Sequence, residues 1–128
     1  RISMGKKIKE HVQNRSFYQN QYDEMKFHFS NDCWACGHSN RPSFWFAPWF
    51  LHRAHIVNQP RLKDRRCVVL LCPLCHSIEH GGQHLEAQRT PLKTENLLWL
   101  KMERDPMFYD LELLQECSVR ILPEPKEY

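Results

Sequence analysis

The sequence predicts a small α+β domain held together by a metal ion, and three observations lead there. Cys33-Trp34-Ala35-Cys36 and Cys72-Pro73-Leu74-Cys75 are two Cys-x-x-Cys knuckles. Two short apolar stretches, 51–57 and 67–71, lie between them, and Pro73 opens a helical pattern on the second knuckle itself. Each knuckle folds back as one corner of a tetrahedron, so two of them complete the thiolate set of one structural zinc ion. Cys33, Cys36, Cys72 and Cys75 are therefore the expected ligands of a structural Zn²⁺.

The elements follow in chain order. Residues 1–31 form an N-terminal arm and helix. Positions 1–15 are basic and polar, a loose arm or frayed helix. From Ser16 to Phe29, Tyr18, Tyr22, Met25 and Phe29 recur at helical spacing, with Ser16 in the N-cap place. The metal-stapled module takes residues 32–84. Its aromatic run, Phe44-Trp45-Phe46-Ala47-Pro48-Trp49-Phe50-Leu51, is expected to cover the zinc site, exposure to a partner being the alternative. Residues 51–57 read as a strand, 58–66 with Pro60 and many charges as a loop, and 67–71 as a second strand. Pro73 suits the first turn of a helix that carries Cys75, His76 and His80 up to Gly81-Gly82. In residues 85–128, Thr94 opens a helix bearing Leu97, Leu98, Trp99 and Leu100. Asp105-Pro106 ends it and caps a last helix over Met107 to Cys117. The tail from Pro123 reads as disordered.

With 128 residues, 41% hydrophobic and 26% charged, the chain fits one small domain, whose limited core a structural metal would reinforce. Four of the six cysteines fall in paired knuckles, which, with no visible signal peptide, favours reduced thiolates and a cytoplasmic location, that of the host cell if the protein is viral. Cys67 and Cys117 remain as small buried apolar residues. No apolar run reaches membrane-spanning length, which argues against a membrane partner. A net charge of +3 excludes little, but Arg61, Lys63, Arg65 and Arg66 crowd one stretch opposed only by Asp64. Together with Arg53 they are candidates to hold nucleic-acid phosphates, a sequence-independent and salt-sensitive contribution.

The histidines are surplus to a finished four-cysteine site. His76 and His80, four apart, share one helix face, and two imidazoles at that spacing bind one ion. His55, in the first strand, has an ordinary pKa of about 6.5 and can accept a proton from water at neutral pH. Plainer roles stay open for each. His55 fits a satisfied core histidine, His76 a substitute for the thiolate of Cys75, and His80 a cation at the helix C-terminus. His38, His52 and His84 read as surface residues, and His52, three before His55, faces the other side of the strand.

Ala54-His55-Ile56 followed, after the intervening loop and strand, by Leu70-Leu71-Cys72-Pro73-Leu74-Cys75-His76-Ser77-Ile78-Glu79-His80 resembles the HNH endonucleases, the zinc-stapled branch of the ββα-metal (His-Me finger) nucleases. The likeness covers residues 33–80, a little over a third of the chain. It implies a ββα-metal core and metal-dependent hydrolysis of DNA phosphodiester bonds, by nicking or double-strand cutting. It also implies His55 as general base, with His76 and His80 holding a catalytic divalent ion such as Mg²⁺, Mn²⁺, Ni²⁺ or Zn²⁺. Imidazole ligands favour the transition metals among these. DNA is the implied partner, alone or within a larger nucleoprotein or phage complex, in the company of phage and mobile-element proteins. Two positions depart from the family pattern. Ala54 stands where an aspartate metal ligand is common, and Cys67 where an asparagine commonly braces the loop, a role open to Asn58 or Asp64. The other readings are a catalytically silent zinc module that binds nucleic acid, and a zinc-stapled interaction domain using the aromatics at 44–50.

Overall fold

The computed structural model describes residues 5–29, 32–37, 51–58, 60–81 and 91–128. The aromatic run 44–50, His38 and His84 lie outside them. The order is α1 (Lys6–Gln13), α2 (Arg15–Glu24), a 3₁₀ turn at Met25–His28, β1 (His52–His55), a 3₁₀ turn at Arg65–Cys67 and β2 (Val68–Leu71). Then come α3 (Pro73–Glu79), α4 (Thr94–Arg104), a 3₁₀ turn at Pro106–Phe108 and α5 (Leu111–Glu116). The fold is thus a small α+β arrangement of helices around a two-stranded antiparallel sheet. None of the described helices is long and apolar enough to cross a membrane.

The sheet pairs His52 with Leu71, Arg53 with Leu70, Ala54 with Val69 and His55 with Val68. A two-stranded ribbon is marginal alone, so burial of both its faces has to hold it. Val68 to Leu71 are wholly buried, which a continuous β-branched and aliphatic run permits. The α4 helix packs on β2, and α3 packs on both strands. Leu97, Leu98 and Leu100 of α4 and Leu113 and Leu114 of α5 complete the core.

Residues 6–13, expected as a loose arm or frayed helix, form a helix whose first N–H groups a distant carboxylate satisfies. Glu116 accepts from the backbone of Lys7 at 3.1 Å and of Ile8 at 3.0 Å, two of the donors that a helix N-terminus leaves unpaired. Gly5 makes room for this, since a Cβ there would lie 2.4 Å from the Glu116 Cδ. The next helix starts at Arg15 after Asn14, so Ser16 is not its cap. At the other end of the chain the expected single helix over 107–117 is divided. Asp110 caps α5 by accepting from the Leu113 N–H at 3.1 Å. Asp105 turns into the core instead of capping. The tail, expected to be disordered, is tied to the start of α4. Lys126 N–H donates to the Glu95 carbonyl at 3.0 Å, and Asn96 Nδ2 donates to the Lys126 carbonyl at 3.0 Å.

The basic stretch also departs from expectation. Arg65 and Arg66 are 6% and 9% exposed. Arg65 donates in a fork to Asp105, Nε to Oδ2 at 2.9 Å and Nη2 to Oδ1 at 3.0 Å. The wholly buried Lys101 donates to the same carboxylate at 2.9 Å. Arg66 donates to Asp64 and, from Nη1, to Asp110 at 3.1 Å. Both guanidiniums are committed to internal pairs that a planar fork serves well. They are therefore withdrawn from the residues expected to hold phosphates. Arg53 is half-buried and donates to the Tyr22 and Asp23 carbonyls at the end of α2. Arg61 and Lys63 stay exposed.

Asp64 is the hub of this interior network. It accepts from Arg66 N at 2.9 Å, Arg66 Nε at 3.0 Å, Arg66 Nη2 at 2.7 Å and His11 Nδ1 at 2.7 Å. Burial works to raise its carboxyl pKa, but the Arg66 hydrogen bonds and charge, joined by His11, outweigh it and hold the group below the usual range. A carboxylate lowered in this way stabilises the fold at neutral pH, and that contribution is lost as the pH falls below its unfolded value of 3.8. Asp64→Asn is expected to cost about 3–5 kcal/mol at neutral pH, because buried Arg66 and His11 lose a fully buried carboxylate and Arg66 keeps only its pair with Asp110. Urea melts check this. A variant as stable as the wild type, or a deficit that fails to narrow between about pH 4 and about pH 2, would contradict it.

Candidate metal centre

The first knuckle turns through residues 34–36 and closes on Gly37, whose N–H donates to the Cys33 carbonyl at 2.9 Å. Gly37 has φ +74°, a left-handed conformation that only glycine adopts without cost. Trp34 N–H donates to the Leu70 carbonyl at 3.1 Å and so fastens this knuckle to β2. The second knuckle is the first turn of α3. Cys72 is its N-cap, with Sγ accepting from the Cys75 N–H at 3.5 Å, and Pro73 follows in the first turn.

The four sulfurs of Cys33, Cys36, Cys72 and Cys75 lie within 4.8 Å of one another, with Cys36 and Cys72 at 4.0 Å. Zinc–sulfur bonds of about 2.3 Å in a tetrahedron place sulfurs about 3.8 Å apart, so the spacing fits zinc. The electrostatics fit as well. Donation from the Cys33 thiol pulls Cys72 down to about 6. Cys33 is pushed far up, chiefly by its hydrogen bond with Cys36, and Cys75 chiefly by its hydrogen bond with Cys33. Of these three thiols only Cys72 is drawn toward the thiolate, and a divalent cation is what allows a full set of four to ionise together. None of the six cysteines is in a disulfide, and Cys67 and Cys117 are buried in the core as expected. Cys75 belongs to this cluster, so His76 does not replace it.

His76 turns instead toward His80. Their Nε2 atoms are 3.1 Å apart and their ring centroids 4.8 Å apart. Glu79 joins them, and one donor atom from each of the three lies within 4.8 Å of the others. Positions 76, 79 and 80 fall on one helix face. The helix stops at once after them, with Gly81 at φ +86°. Glu79 Oε1 is buried without a hydrogen-bond partner, 3.3 Å from His80 Nε2, and burial pushes this carboxyl up.

His52 is exposed, as expected, yet it borders this cluster: its Nδ1 lies 2.9 Å from His76 Nδ1. That contact places His52 beside α3. The half-buried His55 donates from Nε2 to the Leu62 carbonyl at 3.0 Å. Its Nδ1 is then the ring's lone-pair atom. Burial lowers the pKa of His55, and that of His52 and His76 as well. These three rings are therefore neutral at pH 7, the form that binds metals and accepts protons. Ala54 is wholly buried and offers no ligand. The loop between the strands is braced by Asp64, which caps the turn at Arg65–Cys67. Sequence patterns missed Glu79 and His52. A carboxylate inside a His-x-x-x-His helix was the signal for Glu79, whereas His52 had none, its contact depending on the pairing of its strand opposite Leu71.

Comparison of the chain with models of known families, with curated proteins and with solved structures found no match.

Proposed function

We propose that the chain is a metal-dependent DNA endonuclease of the HNH type, with β1, β2 and α3 as a ββα-metal core. One observation carries the reading. Two imidazole nitrogens 3.1 Å apart stand on the helix that begins at the zinc knuckle, while the adjoining strand holds a neutral histidine whose Nε2–H is already engaged. His55 takes a proton from water at Nδ1, and the hydroxide formed attacks the phosphorus. His76 and His80 hold the catalytic divalent ion, which when bound supplies positive charge at the leaving oxygen. Arg61 and Lys63 grip neighbouring phosphates without reading sequence. Cys33, Cys36, Cys72 and Cys75 hold the structural zinc, and the protein works in the cytoplasm on DNA.

The second reading is a catalytically silent zinc module that binds nucleic acid. It is favoured by Ala54, wholly buried where the family commonly has a carboxylate ligand. A plasmid assay across Mg²⁺, Mn²⁺, Ni²⁺ and Zn²⁺ separates the two. The nuclease is expected to relax or linearise supercoiled DNA, best with a transition metal, and to stop in EDTA. Binding of DNA that leaves the plasmid supercoiled with every ion would establish the silent module.

A further inference from the structure

A single imidazole cannot direct both of its nitrogens at one ion, because their lone pairs diverge on opposite sides of the ring. His76 has neighbours at both: His52 Nδ1 lies 2.9 Å from its Nδ1, and His80 Nε2 lies 3.1 Å from its Nε2. The two sides are not equivalent. On the Nδ1 side stands one imidazole. On the Nε2 side stand another imidazole and the Glu79 carboxylate, with donor atoms from all three residues within 4.8 Å of one another. Nitrogen and oxygen ligands bind transition metals at about 2.0–2.2 Å, so donors to one ion lie about 3 Å apart. A neutral ring also has a single N–H. If His76 Nε2 is to be the lone pair toward an ion, its proton sits on Nδ1 and requires an acceptor there. His52 Nδ1 is that acceptor.

We infer that the open ion is held by His76 Nε2, His80 Nε2 and the Glu79 carboxylate, and that His52 is a positioning residue that fixes the tautomer of His76. This deepens the nuclease reading and rests on it for where the open ion sits. Glu79 then supplies, from the helix, the carboxylate that β1 lacks at Ala54. The buried Oε1 of Glu79, which makes no hydrogen bond and lies 3.3 Å from His80 Nε2, acquires a purpose in the same step. A ring N–H given to a fixed acceptor orients a ligating histidine and raises its basicity, and losing such an acceptor typically weakens metal binding about 10–100-fold.

The test uses the full zinc-loaded chain and titrates Ni²⁺ calorimetrically. Long-range proton–nitrogen NMR reads the His76 tautomer before metal is added. Glu79→Gln is expected to weaken Ni²⁺ binding about 10–100-fold or more without altering the fold, since its Oε1 makes no hydrogen bond. His52→Ala is expected to weaken binding about 10–100-fold and to shift His76 away from the Nδ1–H form, while His52→Gln, whose carbonyl accepts, restores both. His76→Ala serves as the reference for loss of a direct ligand. Wild-type affinity in Glu79→Gln would overturn the ligand set. An unchanged tautomer in His52→Ala would overturn the positioning role, and so would a loss as large as that of His76→Ala with no rescue by glutamine. Nickel binding with the expected variant pattern but no plasmid cleavage would keep the site and remove the nuclease. Cleavage by a chain whose nickel affinity ignores Glu79 would do the reverse.

Discussion

Cys72→Ser is expected to yield a protein that lacks zinc and does not fold. Two roles fail at one atom. The Cys72 sulfur is drawn toward the thiolate by its hydrogen bond with Cys33, and it caps the first turn of α3. Structural zinc binds zinc-finger peptides with apparent free energies of about 10–16 kcal/mol at neutral pH. Whole domains of this size are stable by only about 5–15 kcal/mol, so loss of one ligand in four is enough to abolish folding. Zinc content per chain and a thermal melt followed by circular dichroism check this. Cys117→Ser, outside the cluster, should keep its zinc. A Cys72→Ser protein with full zinc content and an unchanged melt would contradict the four-cysteine site.

His55→Ala is expected to stop plasmid cleavage while zinc content is retained. General-base catalysis contributes about 10²–10⁴-fold, so the residual rate should fall by that factor. The Leu62 carbonyl loses its donor, which costs about 1–3 kcal/mol of stability and should lower the melting midpoint without unfolding the chain. As the proposed base the ring acts in its neutral form, and burial lowers its pKa below the ordinary 6.5. Cleavage should therefore hold through neutral pH and decline only as acid protonates the ring. Cleavage by His55→Ala at the wild-type rate would remove this histidine from the reaction. A rate that instead fell as the pH rose from 5 toward 7 would exclude a neutral imidazole base.

The parts of the fold that were legible in the sequence are those decided by near neighbours. The knuckles, the two strands and α3 declare themselves because cysteine spacing, β-branched runs and Pro73 act over a few residues. What was not legible depends on partners far along the chain. Arg65 and Arg66 look like a solvated basic patch until Asp105 and Asp110 arrive from 40 and 44 residues away. The first helix looks frayed until Glu116, 109 residues from Lys7, accepts its N–H groups. Of the candidate site, His76 and His80 could be paired from helical spacing. His52 could not, since the register of the strand against Leu71 decides what it meets.

The contact between Glu116 and α1 also bears on how the polypeptide reaches its native state during synthesis. Chains emerge N-terminus first, at about 5–20 residues per second. Helix α1 is made before the carboxylate that accepts its first N–H groups, because Glu116 follows Lys7 by 109 residues. Helix α1 is thus seated only after Glu116 has been made, and truncation ahead of that glutamate would leave the Lys7 and Ile8 amides without this acceptor.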